Sequence, residues 1–293
     1  MNATGASGRL FFSRCYNTFM GTLYVVATPI GNLEDMSPRA IRILREARLI
    51  AAEDTRHTGK LLQHFGISAP LTSYFEHNKR EKLQPVLQAL AAGDVALVSD
   101  AGTPALNDPG FELVQLALDS GHAVIPVPGP SAPITALVVS GLPTDSFVYL
   151  GYLPHRSVDR RKRLRSVEAL PYTLIFLEAP HRVVESLKDI QAVLGDRNLA
   201  VAREMTKMFE EYWRGTVTGA AAHFASQPPR GEFVLVIAGR TTDAASATRW
   251  PARKLQSAIR KGLRAGEAPS RLAGKLAEES GWARREVYKR ITS

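Results

Sequence analysis

Between Thr22 and Val127 the chain alternates short runs of Val, Ile, Leu and Ala with longer stretches whose apolar residues recur at helical spacing. Runs so short and so rich in β-branched side chains suit strands buried on both faces. Such strands, separated by helices of roughly 10–15 residues, pair in parallel βαβ units. The pattern predicts strands at Thr22–Thr28, Leu49–Ala52, Asp94–Ser99 and Ala123–Val127. Helices are expected from Pro38, with Ser37 as N-cap, and over Gly59–Phe65, Lys79–Ala91, Gly110–Ser120 and Ser131–Ser140. Gly93 and Gly121 follow two of them, where a helix C-terminus favours glycine.

Gly141–Ser146 reads as a linker, and the alternation continues beyond it. Further strands are expected at Phe147–Gly151, Tyr172–Leu177, Leu199–Arg203, Tyr212–Thr218 and Phe233–Ala238. Helices are expected at Val158–Glu168, Pro180–Leu194 and Gly219–Ser226. The polar stretch Arg240–Thr248 precedes three short helical candidates, Pro251–Gly262, Pro269–Ser280 and Ala283–Ile291. The expected organisation is α/β: an N-terminal α/β domain over residues 20–142, a second over 143–240, and a basic helical module over 249–293. Residues 1–19 are polar and lack the apolar core of a signal peptide. They read as a disordered extension, or as the product of a start codon assigned too early.

Composition narrows the function classes. No apolar run approaches the ~20 residues of a membrane-spanning helix. A single cysteine, Cys15, excludes an internal disulfide and a multi-cysteine zinc site, and points to the reducing cytoplasm. The histidines show no HxxxH or HExxH spacing, so no metal site is expected. The net charge is +9, and the segment Arg249–Ser293 carries most of it, with twelve Lys/Arg against four Glu. A second cluster, His155–Arg165, holds Arg156, Arg160, Arg161, Lys162, Arg163 and Arg165 against Asp159. Two separate basic clusters favour a polyanionic partner, although a solvated helix face is the simpler account of any one charge run.

Three glycine- and proline-rich segments follow expected strands in the first half. They are Pro29-Ile30-Gly31-Asn32, Asp100-Ala101-Gly102-Thr103-Pro104 and Pro128-Gly129-Pro130-Ser131-Ala132. Each falls where an open parallel sheet presents its carboxyl-terminal loops, the usual ligand edge. None matches GxGxxG or GxxxxGK[ST], which disfavours nicotinamide dinucleotides and P-loop nucleotides.

These loops occur in order with Ala52-Glu53-Asp54-Thr55-Arg56, Gly151-Tyr152-Leu153-Pro154, Glu178-Ala179-Pro180-His181-Arg182, Ala202-Arg203-Glu204-Met205-Thr206-Lys207 and Gly231-Glu232-Phe233. Over residues 20–240 the chain closely resembles the tetrapyrrole-methylase superfamily. Within it the chain is similar to the branch that methylates a cytidine ribose 2′-hydroxyl in the decoding centre of bacterial 16S ribosomal RNA. The Ala-Glu-Asp-Thr-Arg and Glu-Ala-Pro-His-Arg segments set this branch apart from the porphyrinoid methylases. In those, the second loop typically reads Gly-Gly-Asp-Pro, where this chain has Asp-Ala-Gly-Thr-Pro.

The resemblance implies S-adenosylmethionine as cofactor, bound between two α/β domains, and a homodimer. It implies cofactor contacts from Pro29, Asp100, Ala101, Gly102, Thr103, Pro104, Leu106, Ser131, Ala132, Leu177, Glu178, Met205, Thr206, Glu232, Phe233 and Val234. It implies 16S ribosomal RNA or the assembled small subunit as partner.

A ribose hydroxyl is barely acidic, so its methylation needs a proton acceptor, and Asp54, Glu204 and Lys207 are the candidates. A capping role is the alternative for Asp54, and a surface ion pair for Glu204 with Lys207. Phosphate contacts are expected from Arg56, Arg182 and Arg203, then from Arg160, Arg161 and Arg163. In the tail they are expected from Lys254, Arg260, Lys261, Arg284, Arg285 and Lys289. Trp282 and Tyr288 either stack on exposed bases or belong to a small core, with core the expectation for Trp282. The tail suggests a helix-turn-helix-like module, with a simple helical cap as the alternative. Two other functions compete: a methylase of a small porphyrinoid, and a non-catalytic RNA-binding or assembly factor that keeps the fold.

Overall fold

The computed structural model describes residues 21–75, 78–226, 229–240 and 250–292. The expected extension at 1–19, with Cys15, and most of the polar stretch before the tail lie outside the described residues. The chain divides into two compact units. One runs to Val139 and includes Ala202–Glu211; the other comprises Ser140–Val201 and Tyr212 onward. The expected assignment of all of 143–240 to the second domain is therefore corrected at the segment Ala202–Glu211.

In the first unit β1 (Thr22–Val26), α1 (Pro38–Glu46), β2 (Leu49–Ala52), α2 (Thr55–His64), β3 (Leu71–Ser73), α3 (Lys79–Ala91), β4 (Val95–Val98), α4 (Phe111–Asp119), β5 (Ala123–Val127) and α5 (Ala132–Ser140) follow one another. The sheet has the order β3-β2-β4-β1-β5, and every pairing is parallel. Parallel strands need helical crossovers on the faces, and β4 is accordingly buried along its whole length. One apolar cluster gathers Val26, Leu44, Ile50, Ala96 and Val98; another gathers Leu23, Leu97, Leu90 and Leu113. Ser37 caps α1 as expected, its Oγ accepting from Ala40 N–H at 3.1 Å. Helix α2 begins at Thr55, earlier than the expected Gly59, because Asp54 caps it.

The second unit contains β6 (Phe147–Tyr152), α6 (Ser157–Arg165), β7 (Thr173–Glu178), α7 (Val183–Leu194), β8 (Asn198–Arg203), β9 (Glu211–Thr216), α8 (Val217–Ala225) and β10 (Phe233–Ile237). The last two residues of β8 and the first of β9 belong to the first unit. The sheet order is β6-β7-β10-β8-β9. β6 runs parallel to β7, but β10 pairs with β7 antiparallel, so this sheet is mixed rather than a second parallel one. Its core is built on Phe176, Leu187, Val201, Phe224, Phe233 and Leu235.

The tail folds into α9 (Ala252–Arg264), α10 (Pro269–Ser280) and α11 (Arg284–Thr292). It has a core of its own, formed by Leu255, Ile259, Leu272, Ala273, Leu276 and Val287, with Trp250 and Trp282 packed against it. Gly262 permits the approach of α9 to α10: a Cβ there would lie 2.3 Å from Leu272 Cδ1. Gly281 ends α10 in the left-handed conformation and turns the chain into α11.

Candidate active site

The three glycine–proline loops meet at the carboxyl edge of the first sheet, after the adjacent strands β4, β1 and β5. Thr28 and Gly102 exchange backbone hydrogen bonds of 2.9 and 3.0 Å. The Thr28 hydroxyl donates to Ser99 O at 3.2 Å, and the Thr103 hydroxyl to Pro130 O at 3.2 Å. The loop Asp100–Pro104 is thus tied to both of the other loops. Gly102 has φ +79°, which L side chains rarely adopt. Beyond Pro104, Ala105 and Asn107 also have positive φ, 65° and 67°, and Leu106 between them is exposed. Non-glycine residues held in this region cost about 1–3 kcal/mol each and persist only where surrounding contacts enforce them, most often at functional sites.

A second strained turn lies in Ala202–Glu211. Glu204 has φ 49° and Thr206 φ 65°. Lys207 Nζ donates to Glu204 Oε1 at 2.9 Å, and Thr206 N–H to Glu210 Oε2 at 3.2 Å. Met205 is buried. The turn packs on Gly31, where a Cβ would lie 2.5 Å from Lys207 Cγ and 2.7 Å from Thr206 Oγ1. The first unit therefore brings Asp100, Ala101, Gly102, Thr103 and Pro104 together with Pro29, Ser131 and Ala132, and sets Met205, Thr206, Glu204 and Lys207 beside Gly31.

Three carboxylates sit at the ends of β2 and β4. Asp54 N–H donates to Asp100 Oδ1 at 3.0 Å, and Asp100 N–H to Glu53 Oε2 at 3.3 Å. Burial pushes the Glu53 carboxyl above its ordinary pKa; the Asp100 N–H bond opposes this, and the charges of Asp100 and Asp54 add to it. Sequence reasoning passed over Glu53. Its signal was a carboxylate at a strand end, adjacent in sequence to a candidate already chosen.

Asp54 takes the capping role weighed for it. Its carboxylate accepts from the Arg56 side chain at 3.1 and 2.7 Å and from Arg56 N–H at 2.8 Å. These bonds hold its pKa far below the ordinary aspartate value. Asp54 caps α2, and a carboxylate held this acidic accepts a proton poorly. The same contacts engage the exposed Arg56 guanidinium.

Glu53 sets a pH dependence. The folded chain holds its proton more tightly than the unfolded chain does. Stability therefore falls as pH rises from the ordinary 4.5 through the raised value. Glu53→Gln should raise Tm at neutral pH by about 1–3 °C, and the gain should vanish in acid. Thermal melts across pH would check this, and an unchanged or lower Tm at neutral pH would refute it.

In the second unit Leu177 pairs with Val234, and Glu178 with Phe233, across β7 and β10; Glu232 is exposed just before β10. The Glu178 side chain is fully buried. Its Oε1 accepts from Ala179 N–H at 2.8 Å and from Arg182 at 2.5 Å, and its Oε2 from the Ser186 hydroxyl at 2.5 Å. Only its backbone is left for a ligand. Arg182 is buried, held by Glu178 and by Leu153 O at 3.2 Å, and is withdrawn as a phosphate contact.

Arg160 is corrected in the same way. It is 2 % exposed, with Nε 2.7 Å from Asp189 Oδ2 and Nη1 bonded to the carbonyls of Pro154 and His155. Arg161 shares Asp189 through Oδ1 at 2.6 Å but stays half exposed, and Arg163 is exposed. Arg203 pairs with Glu211 at 3.2 Å.

Lys254, Arg260 and Lys261 on α9 are exposed, as are Arg284, Arg285 and Lys289 on α11. Lys254 lies over the Trp250 ring at 4.2 Å and Arg290 over Trp282 at 4.6 Å. Trp282 Nε1–H donates to Trp250 O at 2.9 Å, so Trp282 is a core residue, whereas Tyr288 is exposed. Among the described residues no group of three His, Cys, Asp or Glu is placed to hold a metal. No helix among them is long and apolar enough to cross a membrane.

The family model for tetrapyrrole (corrin/porphyrin) methylases matches residues 22–221. Ribosomal RNA small subunit methyltransferase I of Synechocystis is 48% identical over 92% of this chain and 96% of its own length. The protein of that name from Pseudomonas aeruginosa is 52% identical over 75% of this chain and 79% of its own. Among solved structures, uroporphyrin-III C-methyl transferase from Thermus thermophilus, complexed with S-adenyl homocysteine, shares the fold. Its TM-score is 0.50 at 22% identity, over 73% of this chain and 96% of that one.

Proposed function

The chain belongs to the tetrapyrrole (corrin/porphyrin) methylase family, and we propose that it methylates small-subunit ribosomal RNA with S-adenosylmethionine. The acceptor in this reading is a ribose 2′-hydroxyl, that of a cytidine in the decoding centre. The observation that carries it is the set of three tied glycine–proline loops at the carboxyl edge of the first sheet, flanked by strained Ala105 and Asn107. The likeness to proteins named for ribosomal RNA methylation and the basic tail support RNA as the substrate.

The residues present fit the cofactor. Gly102 takes a φ that side chains rarely adopt, and Gly129 holds backbone where a side chain would crowd: a Cβ there would lie 3.0 Å from Ala27 Cβ. Loops of this kind let a ligand approach closely, and Leu106 adds an exposed apolar surface. Asp100–Pro104, Leu106, Ser131, Ala132, Pro29, Met205 and Thr206 would hold it from the first unit. Leu177, the Glu178 backbone, Glu232, Phe233 and Val234 are cofactor contacts that the resemblance implies.

S-adenosylmethionine, when bound, supplies an electrophilic methyl group on a sulfonium. The protein has to orient the ribose oxygen and take its proton. The Glu204 carboxylate is the acceptor in this reading, and Lys207, donating to Oε1, orients it. That contact casts Lys207 as a donor rather than a base. Arg163, Arg161, Arg203 and the exposed cations of α9 and α11 are the proposed phosphate contacts.

The homodimer and a cytoplasmic location belong to the same reading. Phe111 and Leu118, seven residues apart on α4, and Ile134 and Val138, four apart on α5, present apolar side chains to solvent. Exposed apolar surface of this kind suits a symmetric partner.

The test is transfer of labelled methyl from S-adenosylmethionine to small subunits from cells lacking this protein, to naked 16S RNA and to a porphyrinoid. Label in an alkali-resistant dinucleotide is expected. Label in the porphyrinoid alone, or in neither acceptor despite cofactor binding, would overturn the reading. A chain ending at Thr248 should bind the cofactor as before and lose most of its RNA affinity, because fewer phosphate contacts release fewer counterions. Filter binding at several salt concentrations checks this, and full activity without the tail would refute it.

A further inference from the structure

A cleft of about 590 Å³ opens in the first unit. Its walls are the segment after β1 (Gly31–Glu34), the end of α2 (His64 and Phe65) and the strained turn Thr206–Met208. Thr206 and Lys207 belong to the site already described; Leu33, Glu34, His64, Phe65 and Met208 do not.

The lining combines flat, apolar and polar surfaces. Phe65 is half-buried, and His64 meets it edge-on at 4.8 Å between centroids. Leu33 is exposed and Met208 is 90 % exposed, although both are apolar. Both line the cleft and give it apolar surface. Thr206, also in the lining, is a β-branched residue held at positive φ, and its Oγ1 is buried beside Gly31 with no hydrogen-bond partner. A buried polar atom left unsatisfied on a strained residue is a feature of ligand sites. Glu34, on the same rim, opposes a phosphate there, and Lys207 in the lining is already paired with Glu204, so a base rather than the backbone is the part of an RNA strand that suits the cleft.

We propose that this cleft takes one unstacked nucleobase of the RNA substrate, packed against Phe65, His64 and Met208. The size supports this, since pockets for small ligands span about 300–1,000 Å³. So does the recognition mode: single-stranded RNA is read by splayed bases stacked on aromatic and imidazole rings. The proposal rests on the RNA-methylation reading and names the part of the strand that the first unit grips.

The test is a double variant, His64→Ala with Met208→Ala, both exposed positions outside the packed core. With small-subunit RNA as acceptor, the KM for RNA should rise about tenfold or more, the size of one lost stacking contact. The Kd for S-adenosylmethionine should stay unchanged. 16S RNA substituted with 4-thiouridine should photo-cross-link to peptides containing His64–Phe65 or Thr206–Met208, whether or not the chain methylates it. RNA methylation by the parent, with an unchanged variant KM and no such cross-link, would overturn the cleft assignment alone. No methylation of RNA by the parent would overturn the functional reading, and the cross-link then decides the cleft separately. A variant that changes sedimentation but not KM would assign the cleft to a second copy of the chain and refute the proposal.

Discussion

Glu204→Gln lowers kcat by about 10²–10⁴-fold, the span that a positioned base contributes, while the Kd for S-adenosylmethionine stays within a factor of two or so. The exchange keeps size and hydrogen-bonding capacity, so the strained turn, the Lys207 contact at Oε1 and the packing on Gly31 should persist. What goes is the ability to take a proton. On the scale of 1.36 kcal/mol per decade, the loss corresponds to about 3–5 kcal/mol of transition-state stabilisation. Asp54→Asn provides the contrast. Asparagine caps a helix nearly as well as aspartate, and Asp54 is too acidic to act as a base, so turnover should change only a few-fold. Single-turnover rates for the two variants decide the matter. Parental turnover in Glu204→Gln, or a large loss confined to Asp54→Asn, would remove Glu204 from the role.

Asp189→Ala should destabilise the second unit by about 3–5 kcal/mol, because it strands the Arg160 guanidinium in the interior without a counter-charge. Arg160 Nε and Nη2 both lie within 2.7 Å of Asp189 Oδ2, and Ser157 and Arg161 complete the carboxylate's shell. At about 2–4 °C per kcal/mol for units of this size, Tm should fall by on the order of 10 °C. Pairing Arg160→Met with Asp189→Leu should recover much of the loss, since replacing both buried charges removes the desolvation penalty along with the attraction.

Burial raises the Asp189 pKa, but hydrogen bonds from Arg161, Ser157 and Arg160 outweigh it and leave the pKa lowered. A lowered carboxyl pKa gives stability that is present above the ordinary value of 3.8 and lost as pH falls through the folded value. The gap between parent and Asp189→Ala should therefore narrow below about pH 4. Melting curves at pH 7 and pH 3 test both statements. A variant within 1 kcal/mol or so of the parent at pH 7 would mean that water reaches Arg160.

The alternation of apolar runs and helical stretches determined the element order, because period and turn chemistry are local properties. Ser37-Pro38 sets the start of α1, and α10 spans Pro269–Ser280 as expected. Strand β3 escaped notice because Leu71–Ser73 is too short to show a period. The antiparallel course of β10 was equally hidden, since the direction of pairing depends on partners distant in sequence.

The same division runs through the candidate site. The glycine–proline loops were legible as motifs, and their joining through Thr28, Gly102, Thr103 and Pro130 follows from strand order. Charge type was legible too, but charge availability was not. Arg160 and Arg163 are alike in the sequence, yet three residues along α6 turn one toward Asp189 in the interior and the other to solvent. Asp54 and Glu53 are chain neighbours of similar chemistry, yet Arg56 makes the first strongly acidic and burial makes the second weakly so. The amino-acid order by itself determined which elements form and which chemical groups the chain carries. Only the tertiary structure decided which groups are spent on one another, because burial and pairing are set by residues far apart along the chain.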